Sequence, residues 1–133
     1  MSAEVAVRAA VIAALRADGA LMAAINGLYD GDPIRASAPY GHVGDCIGSD
    51  WGGKDVAGRE LRLTIGLQAV DETPARLGAM IARIDPAIAL APVLDGWRIV
   101  TARLIRSRVA RSGARPADGW RAVIDYRIRA VRD

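Results

Sequence analysis

Two hydrophobic periods alternate along the chain. In the Ala-rich opening run, Val5, Val7, Val11, Ile12 and Leu15 follow a Ser2 placed to cap and a Glu4 in the first turn. This predicts a helix to about residue 17. Its apolar positions go most of the way round the cylinder, so cover on two sides is expected. A second helical piece, ALMAAIN, is expected to stop at Gly27 through a glycine C-cap. LYDGDPIRASAP then reads as loop, with Asp30 and Asp32 flanking a turn glycine.

Beyond that loop the period shortens to two. Residues 39–47 read as a strand weakened by its glycines, and GSDWGGKDVAG as a long flexible connector. RELRLTIGLQAV places Leu61, Leu63, Ile65, Leu67 and Ala69 on one side and Arg62, Thr64 and Gln68 on the other, the mark of a half-buried strand. DETPARLGAMIARIDPAIAL returns to helical spacing through Leu77, Met80, Ile81, Ile84 and Ile88. Thr73 is read as its cap and Pro74 as its first position. Pro86 must kink or restart this helix, because its ring clashes with the preceding turn and it has no N–H to donate.

The last third predicts two long strands joined by the turn ARSGARPADG. In WRAVIDYRIRAVR, Trp120, Ala122, Ile124, Tyr126, Ile128 and Ala130 share one face, against Arg121, Asp125, Arg127 and Arg129. WRIVTARLIRSRVAR alternates less well. Its doublets Ile99/Val100 and Leu104/Ile105 indicate either a bulge or burial on both faces. The expected fold is one α+β domain over residues 1–133, a mostly antiparallel four-stranded sheet with helices packed on one face. Its other face would carry arginines, and its edges would be open to another subunit.

Composition adds limits. With 52% apolar and 25% charged residues the chain should fold rather than remain disordered. Arg8 and Arg16 interrupt the first apolar run, so no membrane span is expected, and no secretory leader is apparent. A lone cysteine, Cys46, excludes an intrachain disulfide, as expected of cytoplasmic synthesis. The charge is unevenly placed. Residues 1–97 hold eight basic and twelve acidic groups, whereas 98–133 hold ten Arg against three Asp. Such a two-ended chain suits head-to-tail self-association or docking on a differently charged partner, and nucleic acid second.

The stretch APYGHVGDCIGSDWGGKD concentrates the reactive side chains. Tyr40, His42, Gly44 and Cys46 would share one strand face, with His42 and Cys46 too far apart for a direct hydrogen bond. No zinc spacing is present. GGKD lacks the preceding glycine and following Ser or Thr of a phosphate loop, and GSDWGGKD lacks the closing Glu of a calcium loop. No catalytic, cofactor-binding or metal-binding residue is assigned, and no cofactor; the chain is read as a non-enzyme. Trp51 is either folded back on the core or an anchor for a partner.

Taken together, an Ala/Leu-rich first helix, LMAAINGLYDGDPIRASAPYGHVGD, a Gly-rich connector into GRELRLTIGLQAVDETPARLGAMIARI, and a closing strand pair resemble the tail terminator or tail-completion proteins of long-tailed phages and phage-like gene transfer agents. The resemblance spans nearly the whole chain. It implies a ring, commonly a hexamer, that sits on the finished tail tube, stops further subunits from adding and offers a surface to the head-tail connector or stopper protein. DNA would pass through the hole without sequence-specific binding. It further implies assembly in the host cytoplasm and a final place at the tail-head junction.

Candidate contact positions are Trp51, Lys54 and Asp55 on the connector and Arg103, Arg106, Arg108 and Arg111 on the basic strand. A head–tail adaptor or stopper of the neck would have similar size and charge, and an arginine-rich DNA-binding protein is the alternative from another class.

Overall fold

A computed structural model describes residues Met1–Asp133. Its chain runs α1 (Ala3–Ala17), α2 (Gly19–Ala24), β1 (Leu28–Asp30), β2 (Tyr40–Asp50), β3 (Ala57–Ala69), α3 (Ala75–Ile81), α4 (Ile84–Ile88), β4 (Trp97–Arg111) and β5 (Trp120–Arg132). The sheet has five strands in the order β1-β2-β3-β5-β4, not the four expected. The added strand is Leu-Tyr-Asp, which reads as loop in the sequence. Three residues are too short to show a period, and only parallel pairing with residues 41–43 makes them a strand. All other neighbours in the sheet are antiparallel.

The alternation in β3 and β5 carries the core. Leu61, Leu63, Ile65 and Leu67 of β3 and Ala122, Ile124, Tyr126 and Ile128 of β5 are almost wholly removed from water. They share one apolar cluster with Val7, Val11 and Leu15 of α1, Leu77 and Met80 of α3, and Ile84 and Ile88 of α4. The helices therefore cover one face of the sheet. α1 meets the sheet on one side and α2 and α4 on another, as its wide apolar surface requires.

Caps and prolines set the helix ends. Ser2 accepts from the Val5 N–H at 3.3 Å, as expected. Asp18 does the same for Leu21 at 2.9 Å and starts α2. That helix stops at Ala24, and Ile25 is already extended (φ −129°, ψ 154°), so the expected glycine C-cap at Gly27 is not used. The third predicted helix is two. In a continuing helix the proline ring would clash with the carbonyl four residues earlier and could not donate to it, so α3 ends at Ile81 and α4 restarts at Ile84, placing Pro86 in its first turn. Pro74 lies just before α3 rather than as its first residue, and no side-chain bond caps that helix.

Register shifts tune which side chains share a face. One lies in β2 between Val43 and Cys46. Two lie in β4, between Ile99 and Thr101 and between Leu104 and Arg106, so the two doublets are bulges. The supposed flexible connector is a hairpin with strand at both of its ends. β2 continues to Asp50 and pairs through Asp50↔Arg59, leaving residues 51–56 as a hairpin tip closed by a Gly53↔Val56 bridge. Gly52 allows the two arms of the tip to approach, since a Cβ there would sit 2.5 Å from Val56 O, and the number of glycines in the sequence conceals the strands around it.

Candidate assembly interface

The expected contact residues do not form one cluster. Trp51, Lys54 and Asp55 belong to the hairpin tip, at the end of the sheet where β3 begins beside Arg132. Arg111 pairs with Trp120, which pairs with Ala69 at the other end of β3. At about 3.3 Å per residue the intervening strand spans roughly 40 Å.

Trp51 is folded back. Its backbone N–H donates to Gly58 O at 3.1 Å, and its ring lies so close to Gly58 that a Cβ there would sit 3.1 Å from Cε3. On the ring stands the Arg129 guanidinium, 5.2 Å from the centroid. Arg129 Nε also donates to Glu60 Oε1 at 3.1 Å. The tryptophan is thus held in place yet remains 38% exposed, and Lys54 and Asp55 beside it are exposed.

On β4 the bulges decide the faces. Arg103, Arg106 and Arg108 stand opposite Arg127, Asp125 and Val123, on the sheet face away from the helices. Strict alternation would have put Arg103 on the other side from Arg106 and Arg108. Arg106 donates to Asp125 from Nη2 at 3.1 Å, and Asp125 accepts from the Thr64 hydroxyl at 2.9 Å. Arg103 and Arg108 make no ion pair within the chain. Arg111 turns to the helix face, 4.7 Å from the Trp120 ring centroid.

The reactive residues of the sequence border one cleft beside Arg8 but do not share a strand face. The bulge between Val43 and Cys46 reverses the alternation, so His42 and Cys46 project from opposite faces and the expected shared face does not exist. His42 stacks over Gly66, where a Cβ would come within 2.1 Å of its Cε1. Cys46 packs against the apolar core on the helix side, and burial pushes its thiol up to about 11, opposite to what a nucleophile needs. No group of three or more His, Cys, Asp or Glu side chains could hold a metal ion. No helix is long and apolar enough to cross a membrane.

Residues that the sequence did not single out define the β1/β2 edge. Arg8 reaches out of α1 to the Asp30 carboxylate and donates to the carbonyl oxygens of Val43 and, at 2.9 Å, Gly44. Asp32, Asp45 and Asp50 are exposed along the same side. Scattered acidic residues in a glycine-rich stretch carry no sequence signal of this kind, because the pairing of β1 with β2 brings them to one edge.

The architecture now meets known proteins. The family model described as "Tail completion protein gp17" matches residues 9–130. The chain belongs to that family. It is a structural tail-completion protein, not an enzyme. A chain in the virion of a native gene transfer agent particle is similar in structure, with a TM-score of 0.81 and 27% identity, covering 98% of this chain and 99% of that one. The gp17 protein of bacteriophage SPP1 shares the fold at a TM-score of 0.62 and 16% identity, covering 95% of this chain and 89% of that one. No curated protein matches the chain.

Membership in the tail-completion family accords with the chemistry at hand: a half-buried thiol of raised pKa, a histidine stacked on backbone, and exposed charge along two strand edges.

Proposed function

We propose that this tail-completion protein, acting as one unit over residues 1–133, forms a ring of six copies on the end of a tail tube. The ring stops the addition of tube subunits and offers its opposite face to the head connector or stopper protein, while DNA passes through the hole without sequence-specific contact. Assembly takes place in the host cytoplasm, and the ring then stays at the tail-head junction of a phage-like particle. The observation that carries this reading is the near end-to-end structural likeness to a chain of a gene transfer agent virion. A protein of that shape, built into a particle, works by its surfaces.

Trp51, Lys54 and Asp55 at the hairpin tip, with Arg103, Arg106 and Arg108 on the open sheet face, are the contact positions of the assembly. Arg111 belongs with Trp120 on the helix side and has a secondary place in this surface.

Deleting the protein from a producing strain tests the reading. The expected result is tails of irregular, excessive length that fail to join heads, with purified protein capping isolated tubes in the absence of heads. Tails of normal length joined to heads in the deletion strain would overturn it.

A further inference from the structure

The two edges of the sheet differ in both charge and blockage. β4, the strand at one edge of the sheet, has fifteen residues and pairs along its length only with β5; beyond Trp97, which donates to Leu94 O, the backbone groups of its outer side have no partner in the chain. It carries five arginines and no acidic residue. Its exposed apolar side chains are Val100, Leu104, Ile105 and Val109. Leu90, 82% exposed, and Val93 follow on the segment leading into it.

At the other edge, β1 covers only residues 41–43 of β2, and the Arg8 guanidinium occupies the carbonyls of Val43 and Gly44. From Cys46 to Asp50 the outer side of β2 is unpaired. This edge is acidic, with Asp30, Asp32, Asp45 and Asp50, and Arg35 is the exposed cation on the adjoining loop. It too displays apolar side chains, Ile47 at 68% exposed and Ile34 at 100%.

An unpaired strand edge flanked by exposed apolar residues is a template for another strand. Two β4 edges meeting would set the unpaired Arg103 and Arg108 of one copy against those of the other, an unfavourable contact between like charges. Two β1/β2 edges would oppose carboxylates with carboxylates. The remaining combination joins unlike edges, and a contact between unlike surfaces repeats in one direction, closing a ring where its rotation allows.

We infer that the basic β4 edge of one copy adds to the acidic β2 edge, residues 46–50, of the next, with the exposed isoleucines of that edge set against the apolar side chains around β4. The occupant of each edge is a second copy of this chain. Resting on the ring reading above, the inference names the surfaces that make the ring. The sheets of successive copies become one continuous belt, and charge sets the direction in which copies add.

Charge reversal in complementary halves tests it. One variant carries Arg103→Glu and Arg108→Glu; the other carries Asp32→Arg and Asp45→Arg. None of these four residues forms an ion pair within the chain, so both variants should fold, as checked by circular dichroism and thermal melting. In a producing strain lacking its own copy, each variant alone is expected to leave tails uncapped. Expressed together they restore capping, because alternation around the ring makes every contact complementary again. Capping by either variant alone, or failure of the folded pair together, would overturn the inference.

A second measurement is independent of tail phenotype. In a Cys46→Ser background, full-length chains carrying Ile47→Cys alone and chains carrying Ile105→Cys alone are expressed together and treated with a short bismaleimide on purified particles; the two positions are kept on separate chains because within one chain they border the same cleft of the open sheet face. A covalent dimer of unlike chains is expected, whereas either variant alone gives none. Dimers from Ile105→Cys alone would show β4 meeting β4, and absence of the mixed dimer in particles with normal capped tails would remove the edge contact while leaving the capping function standing. A deletion strain with normal tails removes the capping function instead.

Discussion

Arg83 grips Asp18 with both arms of its guanidinium, Nη2 to Oδ1 at 2.7 Å and Nε to Oδ2 at 3.2 Å. Asp18 is also the residue that caps α2 through Leu21 N–H, and Arg83 sits in the break between α3 and α4. One ion pair therefore ties the two interruptions in the helical layer together. The hydrogen bond from Arg83, followed by that from Leu21 N–H, holds the Asp18 carboxyl below the usual aspartate range. A depressed folded pKa gives stability that is present above the ordinary aspartate value, about 3.9, and is lost as pH falls through the lower folded value. Asp18→Asn should lower Tm at neutral pH, and the gap to wild type should close in acid. Thermal melts at pH 7 and near pH 3 check both points.

Tyr126 is buried in the middle of β5 and donates its hydroxyl to the Asp85 carboxylate of α4. Burial is the first cause of its strongly raised pKa and the bond to Asp85 the second, so the hydroxyl stays protonated in the fold well beyond the ordinary range. Tyr126→Phe should cost about 2 kcal/mol, the usual loss for a bond to a charged acceptor. Because the folded pKa is raised, this stabilisation is complete below about pH 10 and declines as pH rises above it. Denaturant unfolding of both proteins at pH 7 and pH 11 should show the difference shrinking.

Gly66 leaves room for the His42 ring. Gly66→Ala should destabilise by about 1–3 kcal/mol, as overpacking does. Adding His42→Ala removes the obstructing ring, so the double variant should be more stable than Gly66→Ala alone. A double-mutant cycle from urea melts checks the coupling. Independent, additive losses would mean that the ring does not fill this space.

Cys46 should react slowly with thiol reagents in the native protein at pH 8, since burial holds its pKa at about 11 and the thiol packs against the core. Reaction should become fast in denaturant. Comparing 5,5′-dithiobis(2-nitrobenzoic acid) rates with and without urea checks this, and Cys46→Ser should leave tail capping unchanged.

Trp51→Ala removes the surface on which Arg129 rests. The expected loss of stability is about 1 kcal/mol, the size of an exposed cation–π contact, and small beside the loss of tail capping if the hairpin tip meets a neighbour. Melting and capping measured on the same variant separate the two effects.

What the sequence by itself determined was whatever depends on neighbours along the chain. The period-two runs of β3 and β5 specify which side chains enter the core, Ser2 marks the start of α1, and Pro86 forces a break one turn before it. The doublets in β4 likewise announced irregularity, though not which kind. Tertiary pairing decided the rest. It made a strand of Leu28–Asp30, turned the glycine-rich connector into a hairpin, and put His42 and Cys46 on different strand faces while bringing Arg103 beside Arg106 and Arg108. The reason is that a single extra residue in a strand flips every side chain after it to the other face, and only the partner strand fixes where that residue lies. By the same means, aspartates scattered through the first half of the chain became one acidic edge.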